Sequence, residues 1–177
     1  MNPMKLFLSL IISVVFFVNN TDAQKIFATR NGKISFSAPS DEDVKGVNNE
    51  VTSRLADNGQ MTFSLLMKSF KFKYAEMQEH FNDQYLESSK FPRADFKGTI
   101  VNLKEVNFSK DGSYKVSVKG DLTMHGVTKN ITANGTLDIK AGKPVTACQF
   151  TVLMKDFKVD ASSVTDKVSV DISCQYQ

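Results

Sequence analysis

The stretch "YKVSVKGDLTMHGVTKNITANGTLDI", Tyr114 to Ile139, decides the fold. Tyr114, Val116, Val118, Gly120, Leu122 and Met124 alternate with Lys115, Ser117, Lys119, Asp121 and Thr123. A period of two is the spacing at which a strand turns successive side chains to opposite faces, so the even positions read as inward. After His125 and Gly126 the parity changes: Ile131, Ala133, Gly135, Leu137 and Ile139 become the inward set, against Thr132, Asn134, Thr136 and Asp138. This is the pattern of two strands joined by a tight turn, for which Gly126 supplies the backbone freedom.

The same alternation recurs on both sides of this hairpin. Ala94, Phe96, Gly98 and Ile100 form one set, Cys148, Phe150, Val152 and Met154 a second, and Val168, Val170, Ile172 and Cys174 a third. Ile34 with Phe36, Val47 with Val51, and Met61 with Phe63, Leu65 and Met67 supply three more. Turn chemistry separates the runs at "DNGQ" (57–60), "KDGS" (110–113) and "KAGKP" (140–144). Short connections between about eight successive strands imply an antiparallel meander. One interval breaks the rhythm: from Tyr74 to Lys90, Met77, Phe81 and Tyr85 recur every four positions, the stripe of a short amphipathic helix ended before Phe91 and Pro92. The expected fold is all-β, either a sandwich or a barrel with that helix covering one end; closure removes exposed strand edges, and eight strands enclose room for packed side chains or one small ligand.

The chain begins with Lys5 followed by the apolar run Leu6–Val18, broken only by Ser9 and Ser13. Thirteen residues are too few to cross a bilayer as a helix, which takes about 20. With Thr21 and Ala23 after it, the segment reads as a cleaved secretory signal, residues 1–23, ahead of one domain over 24–177. The expected location is therefore periplasmic or secreted, with no transmembrane segment in the mature chain. A net charge of +3, with lysines spread along the chain, gives no case for nucleic acid. Export makes a bond between the only two cysteines, Cys148 and Cys174, chemically accessible, with two buried free thiols as the alternative. If Met154 faces Val168 in the last hairpin, the same register sets Cys148 opposite Cys174.

Chemistry-bearing motifs are sparse. His80 and His125, the two histidines, stand 45 positions apart with no His-x-His or Cys-x-x-Cys, which gives no metal-site spacing. There is no Gly-x-Ser-x-Gly elbow and no phosphate-cradling glycine loop, and Asp41, Glu42 and Asp43 read as a solvated loop. No enzyme activity and no cofactor are expected. The inward small residues Ala94, Gly98, Gly120, Ala133 and Gly135 leave volume that a tunnel could use, its walls Phe63, Leu65, Met67, Phe96, Ile100, Val118, Leu122, Leu137, Phe150 and Val152, with Phe81 from the helix. The same residues equally describe a filled core, since strand glycines mark bends and inward apolar residues pack. "SFKFKY" (69–74) alternates aromatics with Lys71 and Lys73 and reads as part of a tunnel mouth.

Three segments resemble the YceI-like family of exported lipid-binding proteins: "GDLTMHGVTKNIT" (120–132), "MQEHFNDQYLESSKFPRADFKGTI" (77–100), and "KDFKVD" (155–160) followed by "DKVSVDIS" (166–173). Cys148 and Cys174 are not part of that pattern. The resemblance implies an eight-stranded antiparallel, lipocalin-like barrel whose apolar tunnel holds a polyisoprenoid, quinone or fatty-acid-like lipid for carriage or sequestration. It makes the inward residues ligand-binding and makes His80, His125, Lys71 and Lys73 candidate headgroup contacts. For His125 the competing reading is a turn residue whose ring bonds nearby backbone. A barrel with a filled interior, acting through a protein partner in an envelope stress response, is the alternative function.

Overall fold

A computed structural model of the chain describes residues 24–39, 41–162 and 164–177. The leader over 1–23 lies outside the described residues. Eight strands follow in chain order: β1 (Ile26–Ala38), β2 (Asp41–Ala56), β3 (Gln60–Leu66), β4 (Arg93–Ile100), β5 (Gly112–Met124), β6 (Val127–Lys140), β7 (Lys143–Leu153) and β8 (Lys167–Gln175). Each pairs antiparallel with its sequence neighbour, and β8 pairs back onto β1 from Ser37–Ser169 to Lys33–Ser173, closing the barrel. The acidic run at 41–43 belongs to the start of β2 and not to a loop, because the β1–β2 ladder extends to Ala38 opposite Asp41.

The turns follow their residues. His125 and Gly126 have φ of 51° and 72°, and Ala141 and Gly142 have 50° and 72°. Two consecutive left-handed residues make the tight hairpin turn whose twist matches that of flanking strands. Met124 therefore pairs with Val127, and inward parity passes from even to odd.

One register differs from expectation. Val152, not Met154, faces Val168, so Cys148 lies opposite Ile172 and Cys174 opposite Thr146. The β7–β8 ladder keeps this one register from Val145–Gln175 to Leu153–Lys167, and Met154, which opens a 3-10 turn over Met154–Phe157, continues it with its N–H donating to the Asp166 carbonyl (2.7 Å). The two-residue slip keeps both thiols inward but sets them diagonally, and both are free. They also lean apart: a Cβ on Gly32 of β1 would lie 2.6 Å from the Cys174 sulfur, while one on Gly135 of β6 would lie 2.7 Å from the Cys148 Cβ.

The strand glycines do not hollow out the barrel. Gly98 and Gly120 face each other across β4 and β5, and a Cβ on Gly120 would lie 2.4 Å from the Lys97 carbonyl and from the Gly98 Cα. The Phe96 ring covers both, 2.5 Å and 2.7 Å from where their Cβ atoms would stand. These positions allow close backbone approach, the second of the two roles read for them.

Two apolar clusters divide the interior. Phe27, Leu55, Ile100, Leu137, Ile139 and Tyr176 plug one end, where the Tyr176 and Ser53 hydroxyls share a 2.8 Å hydrogen bond. At the other end Phe81 and Leu86 pack with Met67, Phe70, Phe157 and Val159. The helix there is shorter than its stripe suggested: α1 covers Ala75–His80 and runs into a π-helical turn, Phe81–Tyr85, marked by Leu86 N–H donating to the Phe81 carbonyl (2.9 Å). Glu87, at φ 42°, then reverses the chain.

Candidate functional site: an apolar tunnel inside the barrel

Between the two clusters lies a cavity of about 300 Å³. Phe63, Leu65, Met67, Phe96, Val118 and Leu122 line one wall, as the parity of β3, β4 and β5 dictates, and Phe150 and Val152 of β7 line another. Phe81 reaches in from the π-helical turn. Ile100 and Leu137, expected in the tunnel, belong to the plug below it, because inward residues at the far strand ends converge on Phe27 and Tyr176.

Sequence reading missed much of the lining. Ile34, Phe36, Met154, Val168, Val170 and Ile172 face the cavity; alternation marks each as inward without assigning it to the tunnel, and Met154 sits in the 3-10 turn after β7. Phe70 and Phe72 of "SFKFKY", read in the sequence as part of a tunnel mouth, line the cavity in an aromatic group with Phe36 and Phe81 whose centroids stand 4.9 to 5.8 Å apart. Edge-to-face and offset pairs at such spacing hold the end of the barrel together beyond their area burial. Tyr85 and Met77 complete the helical stripe inside the cavity, one π-helical residue notwithstanding.

The polar candidates separate. His80 lines the cavity beneath α1 and stands 4.0 Å from Glu76. Lys71 does not line it; its backbone exchanges two hydrogen bonds with Val47 (2.8 and 3.0 Å). Lys73 points outward to Asp43 at 3.1 Å and over the Tyr74 ring at 4.7 Å.

His125 is not in the cavity either. Its Nδ1 lies 3.0 Å from the Phe157 carbonyl and its Nε2 lies 2.8 Å from a Glu87 carboxylate oxygen, with the Phe91 ring edge-on at 4.5 Å. The backbone-bonded turn residue is the arrangement found, with a carboxylate partner that nothing in the local sequence announces. Both partners are acceptors, so the imidazolium satisfies both while the neutral ring can donate to one. The His125 hydrogen bond, above all, holds the Glu87 carboxyl below its ordinary value of 4.5, against an opposing desolvation effect. One histidine thus ties the β5–β6 hairpin to the loop after the helix and to the turn after β7.

The thiols are quiet. Burial, and secondarily Asp171, pushes Cys148 up to about 11, and burial, then Cys148, pushes Cys174 up to about 12. Protonated thiols in an apolar wall are neither nucleophiles nor metal ligands near neutral pH. Among the described residues no three His, Cys, Asp or Glu side chains converge on a metal position. Among the described residues no helix is long and apolar enough to cross a membrane.

A closed eight-stranded barrel around an apolar tunnel, capped by one helix, is a recurrent design, and residues 21–176 match the YceI-like domain. The chain belongs to the YceI-like family. A UPF0312 protein of Pseudomonas fluorescens is 32% identical over 111 residues, which is 62% of this chain and 48% of that protein, so the match spans about half of that relative's length. Among solved structures, a polyisoprenoid binding domain from Saccharophagus degradans shares the fold with a TM-score of 0.72 at 11% identity, over 88% of this chain and 99% of that one. Burkholderia cenocepacia BcnA follows with a TM-score of 0.66 at 15% identity, over 80% and 94% of the two chains. At those identities the likeness is one of fold. The YceI-like barrel here carries two free cysteines, Cys148 and Cys174, in its wall.

Proposed function

We propose that the protein is an exported binding protein that holds the apolar chain of an amphiphile, a polyisoprenoid, quinone or fatty-acid-like lipid, inside the barrel for carriage or sequestration. One observation carries this reading: the cavity of about 300 Å³ is walled by apolar side chains from six or more strands, where a filled core would leave no such volume. A cavity of that size is at the lower bound of ligand pockets. A chain placed there contributes about 0.8 kcal/mol for each methylene taken from water, so affinity needs few polar contacts. The polyisoprenoid binding of the Saccharophagus domain supports the same class of ligand. Residues 1–23 supply the export signal in this reading, and the periplasm the working compartment.

The test is native mass measurement of protein purified from its own envelope without detergent, compared with its denatured mass. The expected result is a stoichiometric lipid-sized adduct recoverable in organic solvent. Repeated absence of an adduct, with no uptake of prenyl lipid or fatty acid on incubation, would overturn the reading.

A further inference from the structure

The wall of the barrel has an opening that the strand pattern does not announce. β6 and β7 pair from Lys140–Lys143 up to Gly135–Cys148, and there the ladder stops. Above it, β6 from Val127 to Asn134 bonds to β5 alone, and β7 from Gln149 to Leu153 bonds to β8 alone. Among the described residues no hydrogen bond, from backbone or side chain, crosses between these two segments.

Other places where a ladder ends are stitched. Past the end of β2–β3 pairing at Thr52–Ser64, the Asn48 amide donates to the Leu66 carbonyl (3.0 Å) and Val47 exchanges bonds with Lys71. Past β4–β5, Val101 N–H donates to Ser117 (2.8 Å) and the Asn102 amide to Lys115 (2.9 Å). Past β1–β8, Ala28 and Gln177 exchange two bonds (3.0 and 3.3 Å). Unpaired backbone along two facing strand segments is costly unless water reaches it, so an unstitched seam in a wall is a place where the wall is open.

The seam is bounded above as well as below. Its upper limit is His125, whose Nδ1 meets the Phe157 carbonyl at 3.0 Å, almost in the register that the ladder would have reached had it continued. Between the Gly135–Cys148 sill and this tie lies an eyelet flanked by Ile131 and Ala133 on β6 and by Phe150 and Val152 on β7, all four of them cavity residues. Thr136 and Ala147, whose side chains face the outside of the wall, border the same cavity as the inward Gly135 and Cys148. Outside it, Lys33, Asn134, Gln149 and Asp171 form a shallow polar depression that shares Gly135, Thr136, Ala147 and Cys148 with the tunnel. The route through the barrel's end is obstructed by comparison, because Phe36, Phe70, Phe72 and Phe81 interlock beneath α1.

We propose that the eyelet between β6 and β7 is the portal through which an apolar chain passes sideways into and out of the tunnel, tail first, with its polar end remaining at the outer rim. This rests on the lipid-binding reading above. Apolar banks suit passage of a chain, and no hydrogen bonds between strands need to break to admit one.

The test closes the eyelet from outside. Thr132 and Thr151 are exposed, face away from the tunnel and stand on opposite banks. Thr132→Cys with Thr151→Cys is joined by a short reducible bis-thiosulfonate cross-linker, and uptake and release of cis-parinaric acid, a fluorescent polyene fatty acid, are followed by stopped flow. The reduced, unlinked variant should take up the probe, and linking should slow both uptake and release at least tenfold, with reductant restoring the rates. Unchanged rates in the linked protein would assign the route to the end beneath α1 and overturn the portal while leaving the tunnel standing. Failure of the unlinked variant and of the unmodified protein to take up this or a prenyl probe would overturn both. If the unmodified protein binds and the unlinked variant does not, a linked pair at Asn134 and Gln149 supplies the same comparison with the same two outcomes.

Discussion

Gly120 shows what a single hydrogen in place of a methyl group decides. Its Cα approaches the β4 backbone so closely that any side chain meets carbonyl and Cα atoms at 2.4 Å, and backbone cannot swing aside as a flexible side chain can. Gly120→Ala is therefore expected to destabilise the barrel by roughly 1 to 3 kcal/mol, as overpacked sites do. Urea unfolding reads this as a fall in midpoint at unchanged slope. An unaltered midpoint would mean that β4 and β5 separate at this pair and that Phe96 is free to leave. In sequence Gly120 read equally as a bend marker and as missing tunnel volume. The choice turned on where the Phe96 ring goes, which alternation does not encode.

Among elements, the β5–β6 hairpin has a turn tied to two others, the loop after the helix and the turn after β7. Its strands and turn were legible because period two and a His-Gly corner are local signals. The Glu87 and Phe157 partners were not, since they lie 38 and 32 residues away from His125. The tie predicts an acid dependence. Glu87 titrates lower in the folded barrel than in the unfolded chain, so its contribution is complete above about 4.5 and is lost as pH falls through the depressed folded value. Glu87→Gln should remove this component, giving a shallower loss of stability between about pH 5 and 3 than the unmodified protein shows in thermal melts. Parallel acid limbs in the two proteins would show that the His125 contact carries no differential stabilisation.

The whole barrel sets the dimensions of what it can hold. Closure by β1 and β8 and the two apolar plugs leave a tunnel open along one wall, and Ala133 stands on that wall facing Phe150. Ala133→Phe should block the tunnel and abolish stoichiometric lipid uptake while lowering stability little, because the ring occupies existing volume. A loss of about 1 to 3 kcal/mol with uptake retained would describe a packed core instead. Native mass for the first quantity and urea unfolding for the second separate the two.

Strand number, inward parity, hairpin turns, the helical stripe and the family itself were carried by the chain alone, because each is written in neighbours a few residues apart. Part of the tunnel lining followed from that parity. Where the tunnel stops was decided by tertiary structure: Ile100 and Leu137 alternate like Phe96 and Val118, and only convergence of strand ends on Phe27 and Tyr176 makes them plug and not wall. The thiol pairing failed for a related reason. Parity fixes the face a cysteine occupies but not the register along the neighbouring strand, and the β7–β8 ladder sets Cys148 against Ile172 and Cys174 against Thr146. The seam between β6 and β7 is likewise invisible to alternation, since a strand repeats with period two whether or not its neighbour stays in hydrogen-bonding reach.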